Sequence, residues 1–322
     1  MNPSLEFLDR SSAETGFQAA VLEKVVLLGS VAADIARHPL LGAVLALKGG
    51  TALNLCFGPP GRLSVDLDYN YIGHVEREKM LEDRPRVEGA VLDLARRRGH
   101  RVQQSADAFA GRKLYLRYRS VLGQDDRVEV DLNFLFRVPL AGTETRSLWQ
   151  PGGLDHAQVR VVCLAELLIG KLLALVERGA PRDAWDVACL SGPAAETLAQ
   201  PLFRARFIAL SATLEHPLPT YGRDRLAEFL TDRAVATELA PTLARGLPPR
   251  TDDLVERAWA KVGPLLSLVG HEEAYLAAIN QGELRPELLF PNDAEEAARI
   301  AGHPAILWKL KNVRDHRTRR KA

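Results

Sequence analysis

Between residues 64 and 71 polar and apolar side chains alternate without a break, Ser64, Asp66, Asp68 and Asn70 on one parity and Val65, Leu67, Tyr69 and Tyr71 on the other. A period of two is that of a strand with one face in a core, so the two aspartates and their polar companions share the opposite face. The same alternation runs through 112–118 and 127–134, and Gly123-Gln124-Asp125-Asp126 between them predicts a hairpin. On its second strand Glu129, Asp131 and Asn133 face away from Val128, Val130, Leu132 and Phe134. Elsewhere the period is helical: an amphipathic helix over 17–36, a lead into a glycine turn over 40–46, and a helix near 86–98 that crosses the sheet. From 164 onward the strand signals fade into Leu-, Ala- and Arg-rich helices over 204–214, 224–237, 252–269 and 272–279. Loops are expected at 246–249 and 290–293, with Asp252 and Asp293 as helix starters. The expected fold is α+β, a lobe with a mixed sheet over 1–160 followed by a mostly helical lobe over 161–322.

Chemistry enters just before the first alternating strand. Gly49-Gly50-Thr51 opens a short helical run, and without Cβ atoms the glycines let backbone amides approach an anion at a helix N-terminus, where the partial positive charge favours phosphate. Gly58-Pro59-Pro60-Gly61 returns the chain to the strand and leaves Arg62 just ahead of it, placed either to touch a phosphate or to brace the loop. Asp66 and Asp68, two apart on a strand, are roughly 6.5 Å apart along it, within reach of one pair of divalent ions about 3.5–4 Å apart. Oxygen ligands suit a hard cation such as Mg2+. If the face bearing Glu129 and Asp131 adjoins this one, Asp131 completes a three-carboxylate set; otherwise Glu129 and Asp131 solvate an exposed sheet face.

A second segment carries charge inside helices. Lys171 lies among strong helix formers, with Ala174 and Arg178 on the same side, and Gly179-Ala180-Pro181 ends that run. Asp183 and Asp186 then share one face of the next helix, where Asp183 can serve as a partner of the helix dipole or a cap, and Lys171 can pair with both as a plain salt bridge.

The order Gly49-Gly50-Thr51-Ala52-Leu53, Arg62-x-Ser64-x-Asp66-x-Asp68, a helical lysine, then Arg182-Asp183-x-x-Asp186 resembles the AbiEii/MenT family of bacterial nucleotidyltransferase toxins, within the DNA polymerase β-like superfamily. The segment 302–309 also resembles the way these chains end, so the resemblance spans about residues 20–314. It implies a polymerase β-like nucleotidyltransferase lobe, with Lys171 and Asp186 contributed to a cleft by the helical lobe. It implies that Lys171 binds the nucleotide phosphates, that Asp186 is a further active-site acid and that Ser64 and Asp66 are essential strand residues. Taken with the residue chemistry above, the expected catalytic residues are Ser64, Asp66, Asp68, Lys171 and Asp186, the expected ligands of two Mg2+ ions, with Mn2+ as a substitute, are Asp66, Asp68 and Asp131, and nucleotide contacts are expected from Lys48, Gly49, Gly50, Thr51, Arg62, Ser64, Lys171 and Asp183. The implied reaction transfers a nucleotide from an NTP to RNA, at the 3′ end of tRNA, and so blocks translation. The implied partner is a cognate antitoxin. Two other readings use the same residues: a nucleotidyltransferase acting on a small molecule or a protein hydroxyl, and a non-catalytic NTP-binding module, against which the intact Asp66, Asp68, Asp131 and Lys171 weigh.

Composition narrows the setting. The chain has 322 residues, 47% of them hydrophobic, enough for one large core or two modest ones. No apolar run is long enough for a bilayer, and Glu6 and Asp9 argue against a secretion signal, so the cytoplasm is expected and no membrane partner. Cys56, Cys163 and Cys189 are widely spaced among apolar neighbours and read as small core residues. The charge balance, 42 basic against 41 acidic residues, hides two basic clusters: Arg84, Arg86, Arg96, Arg97, Arg98 and Arg101, and the tail 309–322 with seven Lys or Arg against one Asp. Either suits a phosphodiester backbone, and the tail suits equally a solvated, partly disordered end. Tyr69, Tyr71 and Tyr115 occupy apolar positions and read as core before they read as base-stacking groups.

Overall fold

The computed structural model describes residues 3–321 apart from 109 and 247, so one residue of the loop expected at 246–249 and residue 322 of the basic tail lie outside the described residues. The chain divides into two compact units, Met1–Cys163 with Ala236–Pro248, and Leu164–Val235 with Pro249–Ala322.

In the first unit the Ser4 hydroxyl accepts the Phe7 N–H at 3.2 Å and starts α1 (Leu5–Thr15), which Gly16 ends at φ 77°. There follow α2 (Ala19–Arg37), α3 (Leu41–Val44), β1 (Leu45–Lys48), α4 (Gly49–Cys56), β2 (Asp66–Tyr71) and α5 (Arg77–Arg97). Then come β3 (Arg101–Gln104), β4 (Gly111–Arg119), β5 (Asp125–Asn133), β6 (Thr143–Ser147) and β7 (Gln158–Val162). The seven strands form one mixed sheet in the order β3-β4-β5-β2-β1-β7-β6. Parallel pairs join β2 to β5 and β1 to β7; the rest are antiparallel.

The period-two reading explains the core. Leu47, Leu67, Leu114, Val128, Val130 and Leu132 all have 0% exposure on one face of the sheet, where α2 packs across β2, β5 and β7 and against α5. Burying each such side chain contributes about 1.5–3 kcal/mol. Tyr69 and Tyr71 are also in the core, with Tyr71 5.5 Å from the Phe134 ring and donating to Asp83 at 2.8 Å.

Several boundaries differ from expectation for local reasons. The strand expected from 64 begins at Asp66 because the chain before it pairs elsewhere: Leu63 donates to the Thr242 carbonyl at 2.8 Å and Arg62 bridges to Leu243. The hairpin turns at Ser120–Gln124, with Gly123 at φ 96°, so Asp125 and Asp126 already belong to β5. The helix expected near 86–98 starts earlier, at Arg77, and carries Pro85 inside it.

The second unit is helical. Its elements are α6 (Leu164–Arg178), α7 (Pro181–Ala188), α8 (Pro193–Leu198), α9 (Pro201–Ser211), α10 (Arg223–Phe229), α11 (Asp232–Ala234), α12 (Thr251–Leu266), α13 (Gly270–Asn280), α14 (Ala294–Ala301) and α15 (Pro304–Lys321). The helix expected over 224–237 is broken after Phe229. Asp293 caps α14 by accepting the Glu296 N–H at 2.9 Å, while α12 starts one residue before Asp252. No helix among the described residues is long and apolar enough to cross a membrane.

Three expectations about the surface change. The cysteines are not core residues: Cys56 and Cys163 are half-buried and Cys189 is exposed. The arginine cluster of residues 84–101 is interleaved with acids. Arg84 is buried, donating to Glu88 at 2.7 Å and Asp107 at 2.6 Å, while Arg86 pairs with Asp83, Arg96 with Asp93 and Arg98 with Asp34. The basic tail is the second half of α15, tied down where Arg314 donates to the Gly282 carbonyl at 2.8 Å.

Candidate functional site

The glycine turn packs against the start of β2 and the residues just before it. Gly49 leaves β1 at φ 71°, a left-handed conformation that favours glycine, and a Cβ added there would meet the Asp68 Oδ2 at 2.2 Å. The backbone at the start of α4 therefore lies directly against that carboxylate. Gly50 follows under a similar constraint, since a Cβ would come within 2.9 Å of the Ser64 Oγ and 3.0 Å of the Arg62 Nη2. The Thr51 hydroxyl donates to the Asp66 carbonyl, tying the first turn of α4 to the first residue of β2, and its side chain is fully buried. Arg62 is also buried, donating to its neighbour's carbonyl, Leu63 O, at 3.0 Å, an arrangement that braces the turn. Gly49→Ala is expected to cost about 1–3 kcal/mol through backbone strain and to push Asp68 from its place. A lowered melting temperature together with a loss of nucleotide transfer checks it.

Strand register brings the acids together. Asp68 lies opposite Asp131 across the parallel β2–β5 pair, and Asp66 lies opposite Glu129. The two polar faces thus adjoin. Lys48 faces Asp68 from β1 and Lys113 faces Asp131 from β4, so a row Lys48, Asp68, Asp131, Lys113 crosses four neighbouring strands on one face. Burial first, and then the Asp68 carboxylate, push the Asp131 carboxyl above its ordinary value, while Lys113 and Lys48 pull it back. Lys113 reaches Glu129 with a hydrogen bond and stands 3.6 Å from Asp131. Burial works against its ammonium, but Glu129 and Asp131 outweigh burial and raise its pKa.

Two like charges side by side on a half-buried face are costly alone, and hard oxygen donors in that arrangement suit a divalent cation. Asp68 and Asp131 are therefore chemically fit to hold one. Among the described residues, however, no group of three or more His, Cys, Asp or Glu side chains is gathered as a finished metal set. Asp66 sits on the same face, one pleat along from Asp68.

In the second unit, Lys171 of α6 and Asp183 and Asp186 of α7 form a buried cluster. The Lys171 Nζ is 2.7 Å from the Asp183 Oδ1 and 2.9 Å from the Asp186 Oδ2, with side-chain exposures of 7%, 2% and 1%. Arg178 adds a second cation on Asp183 at 2.7 Å. Burial, which alone would raise the Asp183 pKa, is outweighed by Lys171 and Arg178, and the carboxyl is held down at about 2. Asp183 thus acts as an ion-pair partner and not as a helix cap.

One charged neighbour of the acids, Lys113, is not among the site residues expected from the sequence. Its signal was present in the hairpin, where a turn of five residues, Ser120–Gln124, sets Lys113 opposite Asp131. Tyr115, on the same face, lies under the Arg127 guanidinium, 4.6 Å from its ring centroid, and is only half-buried.

The sequence matches the family described as nucleotidyl transferase AbiEii toxin, type IV TA system, over residues 33–262. No curated protein matches it. Among solved structures, MenT4, a nucleotidyltransferase toxin from Mycobacterium tuberculosis H37Rv, matches with a TM-score of 0.57 and 21% identity, covering 92% of this chain and 97% of that one. At that identity the likeness speaks to the fold, an α+β arrangement shared with a nucleotidyltransferase toxin. The family match covers well over half of the chain and carries with it a nucleotide donor and an antitoxin partner. The chain therefore belongs to the AbiEii family of nucleotidyltransferase toxins of type IV toxin–antitoxin systems, and it is a nucleotidyltransferase.

Proposed function

We propose that this protein transfers a nucleoside monophosphate from an NTP to the 3′-hydroxyl of an RNA, the 3′ end of tRNA, and so blocks translation in the cytoplasm until its antitoxin intervenes. The observation that carries the reading is the pairing of Asp68 with Asp131 directly beside the Gly49 turn, in a chain of a nucleotidyltransferase family.

In the reaction the acceptor oxygen forms a bond to the α-phosphorus, the bond from that phosphorus to the bridging oxygen breaks, and pyrophosphate leaves on the opposite side while the hydroxyl proton passes to solvent. Asp66, Asp68 and Asp131 are assigned to hold two Mg2+ ions, or Mn2+ in their place. When bound, such ions lower the pKa of the attacking hydroxyl and neutralise the leaving pyrophosphate. Lys48 and the backbone amides of Gly49, Gly50 and Thr51 bind phosphate oxygens, with the amides aligned by the start of α4. Ser64, held against Gly50, orients the nucleotide, and buried Arg62 acts through the turn it braces. Lys171 is assigned to the phosphates and Asp186 as a further acid of the reaction. Asp183 and Asp186 hold the Lys171 side chain in place through ion pairs at 2.7 and 2.9 Å.

The test incubates the protein with each labelled NTP and, in parallel, total tRNA, other RNA, aminoglycosides and a protein acceptor. Label is expected on tRNA with the wild-type chain and none with Asp66→Ala. Label on another acceptor with bare tRNA would overturn the acceptor, and NTP binding without pyrophosphate release would point to a sensing module instead.

A further inference from the structure

Lys113 has a place in the carboxylate row that neither the reaction nor the fold requires. The β4–β5 register sets it opposite Asp131, and its ammonium is hydrogen-bonded to Glu129 while standing 3.6 Å from the Asp131 Oδ2. Its stem is half exposed, 47% for the side chain, so burial does not hold it there; the two carboxylates do. On the other side of Asp131, Asp68 occupies the neighbouring strand, between Asp131 and Lys48. Without Lys113 the face would carry Asp66, Asp68, Glu129 and Asp131 with Lys48 as the opposing cation within the row.

We infer that Lys113 is a resident counter-cation of the carboxylate row, which stands in for a divalent ion at Asp131 in the metal-free protein and sets how tightly that ion binds. The inference rests on the reading of Asp66, Asp68 and Asp131 as metal-holding carboxylates. A divalent ion arriving between Asp68 and Asp131 meets both acids and also the unit positive charge of Lys113. By Coulomb's law in a water-like dielectric, a repulsion between a divalent and a unit charge of on the order of 1 kcal/mol weakens the ion's affinity roughly five- to tenfold. Glu129 limits the effect by giving the ammonium an anchor away from Asp131, so Lys113 yields to the ion without leaving the sheet face. The device keeps the metal-free site from carrying a full cluster of unopposed negative charge, and makes metal occupancy respond to the metal that arrives with the negatively charged nucleotide.

The test titrates the full-length chain with Mn2+ at low ionic strength, where screening is least, and follows the free-ion signal by electron paramagnetic resonance. Lys113→Met is expected to bind Mn2+ roughly five- to tenfold more tightly than wild type, and Lys113→Arg, which keeps the charge, within about twofold of it. Raising the salt concentration is expected to shrink the difference. Circular dichroism confirms that each variant is folded. If Lys113→Met binds Mn2+ no more tightly than wild type, the inference is overturned while the metal reading stands. If the folded wild type and both variants all fail to bind Mn2+, with and without NTP, the metal reading itself falls and takes the inference with it. Asp131→Asn, expected to leave the free Mn2+ signal undiminished, separates binding at this row from binding elsewhere.

Discussion

Asp68→Asn is expected to lower nucleotide transfer by roughly a thousandfold or more, equivalent to about 4 kcal/mol of transition-state stabilisation, without lowering the melting temperature. The asparagine is nearly the same shape, so the close fit against Gly49 is preserved. What disappears is one of the two facing negative charges that a divalent cation requires. In the metal-free protein the same change relieves the repulsion between Asp68 and Asp131, so the folded state gains or holds its stability as activity vanishes. Asp131→Asn is expected to behave alike. The check pairs a transfer assay with a thermal melt. Should the melt fall in step with activity, Asp68 would be a structural residue and the carboxylate row would lose its functional meaning.

The second large effect is on stability. Lys171→Met leaves Asp183 and Asp186 facing a methyl group at side-chain exposures of 2% and 1%. Breaking a buried charge cluster from one side costs about 3–5 kcal/mol, while Arg178 stays paired with Asp183. Urea unfolding followed by the fluorescence of Trp185 and Trp259, on α7 and α12, measures it. The cluster also sets a pH dependence. The Asp183 pKa is depressed from 3.8 to about 2 in the folded chain, so its contribution is fully present above about pH 4 and is lost as pH falls from there through about 2. That contribution amounts to about 2–3 kcal/mol. Lys171→Met is expected to flatten this acid limb, and Lys171→Arg, which keeps the charge, to retain it. An unchanged limb in Lys171→Met would show that Arg178 alone carries the pairing.

Particular residues show where legibility ended. The alternation in 64–71 and 127–134 placed Asp66, Asp68, Glu129 and Asp131 on polar faces, because burial of Leu67, Val130 and Leu132 leaves the other parity to solvent. Strands of four or five residues escaped: β1 is Leu-Ala-Leu-Lys between two helices, too short for a period, and it becomes a strand only because β2 and β7 flank it. The arginine cluster at 84–101 looked like an open basic patch because sequence proximity hides partners far along the chain. Asp107 and Asp34, which engage Arg84 and Arg98, come from other elements.

Local periods of strand and helix already say which side chains share a face, where the glycine turn lies and that Asp183 and Asp186 share one helix face, whereas the pairing of Lys171 with them comes from the packing of α6 against α7. Only the tertiary structure decided that Asp68 meets Asp131, that Lys113 closes the row and that Ser64 stands outside the strand beside Gly50. Each of these rests on pairing between segments distant in the chain. A shift of one residue in the β2–β5 register would have sent every acid of one strand to the opposite face, and what holds the register is the packing of both strands' apolar parity under α2.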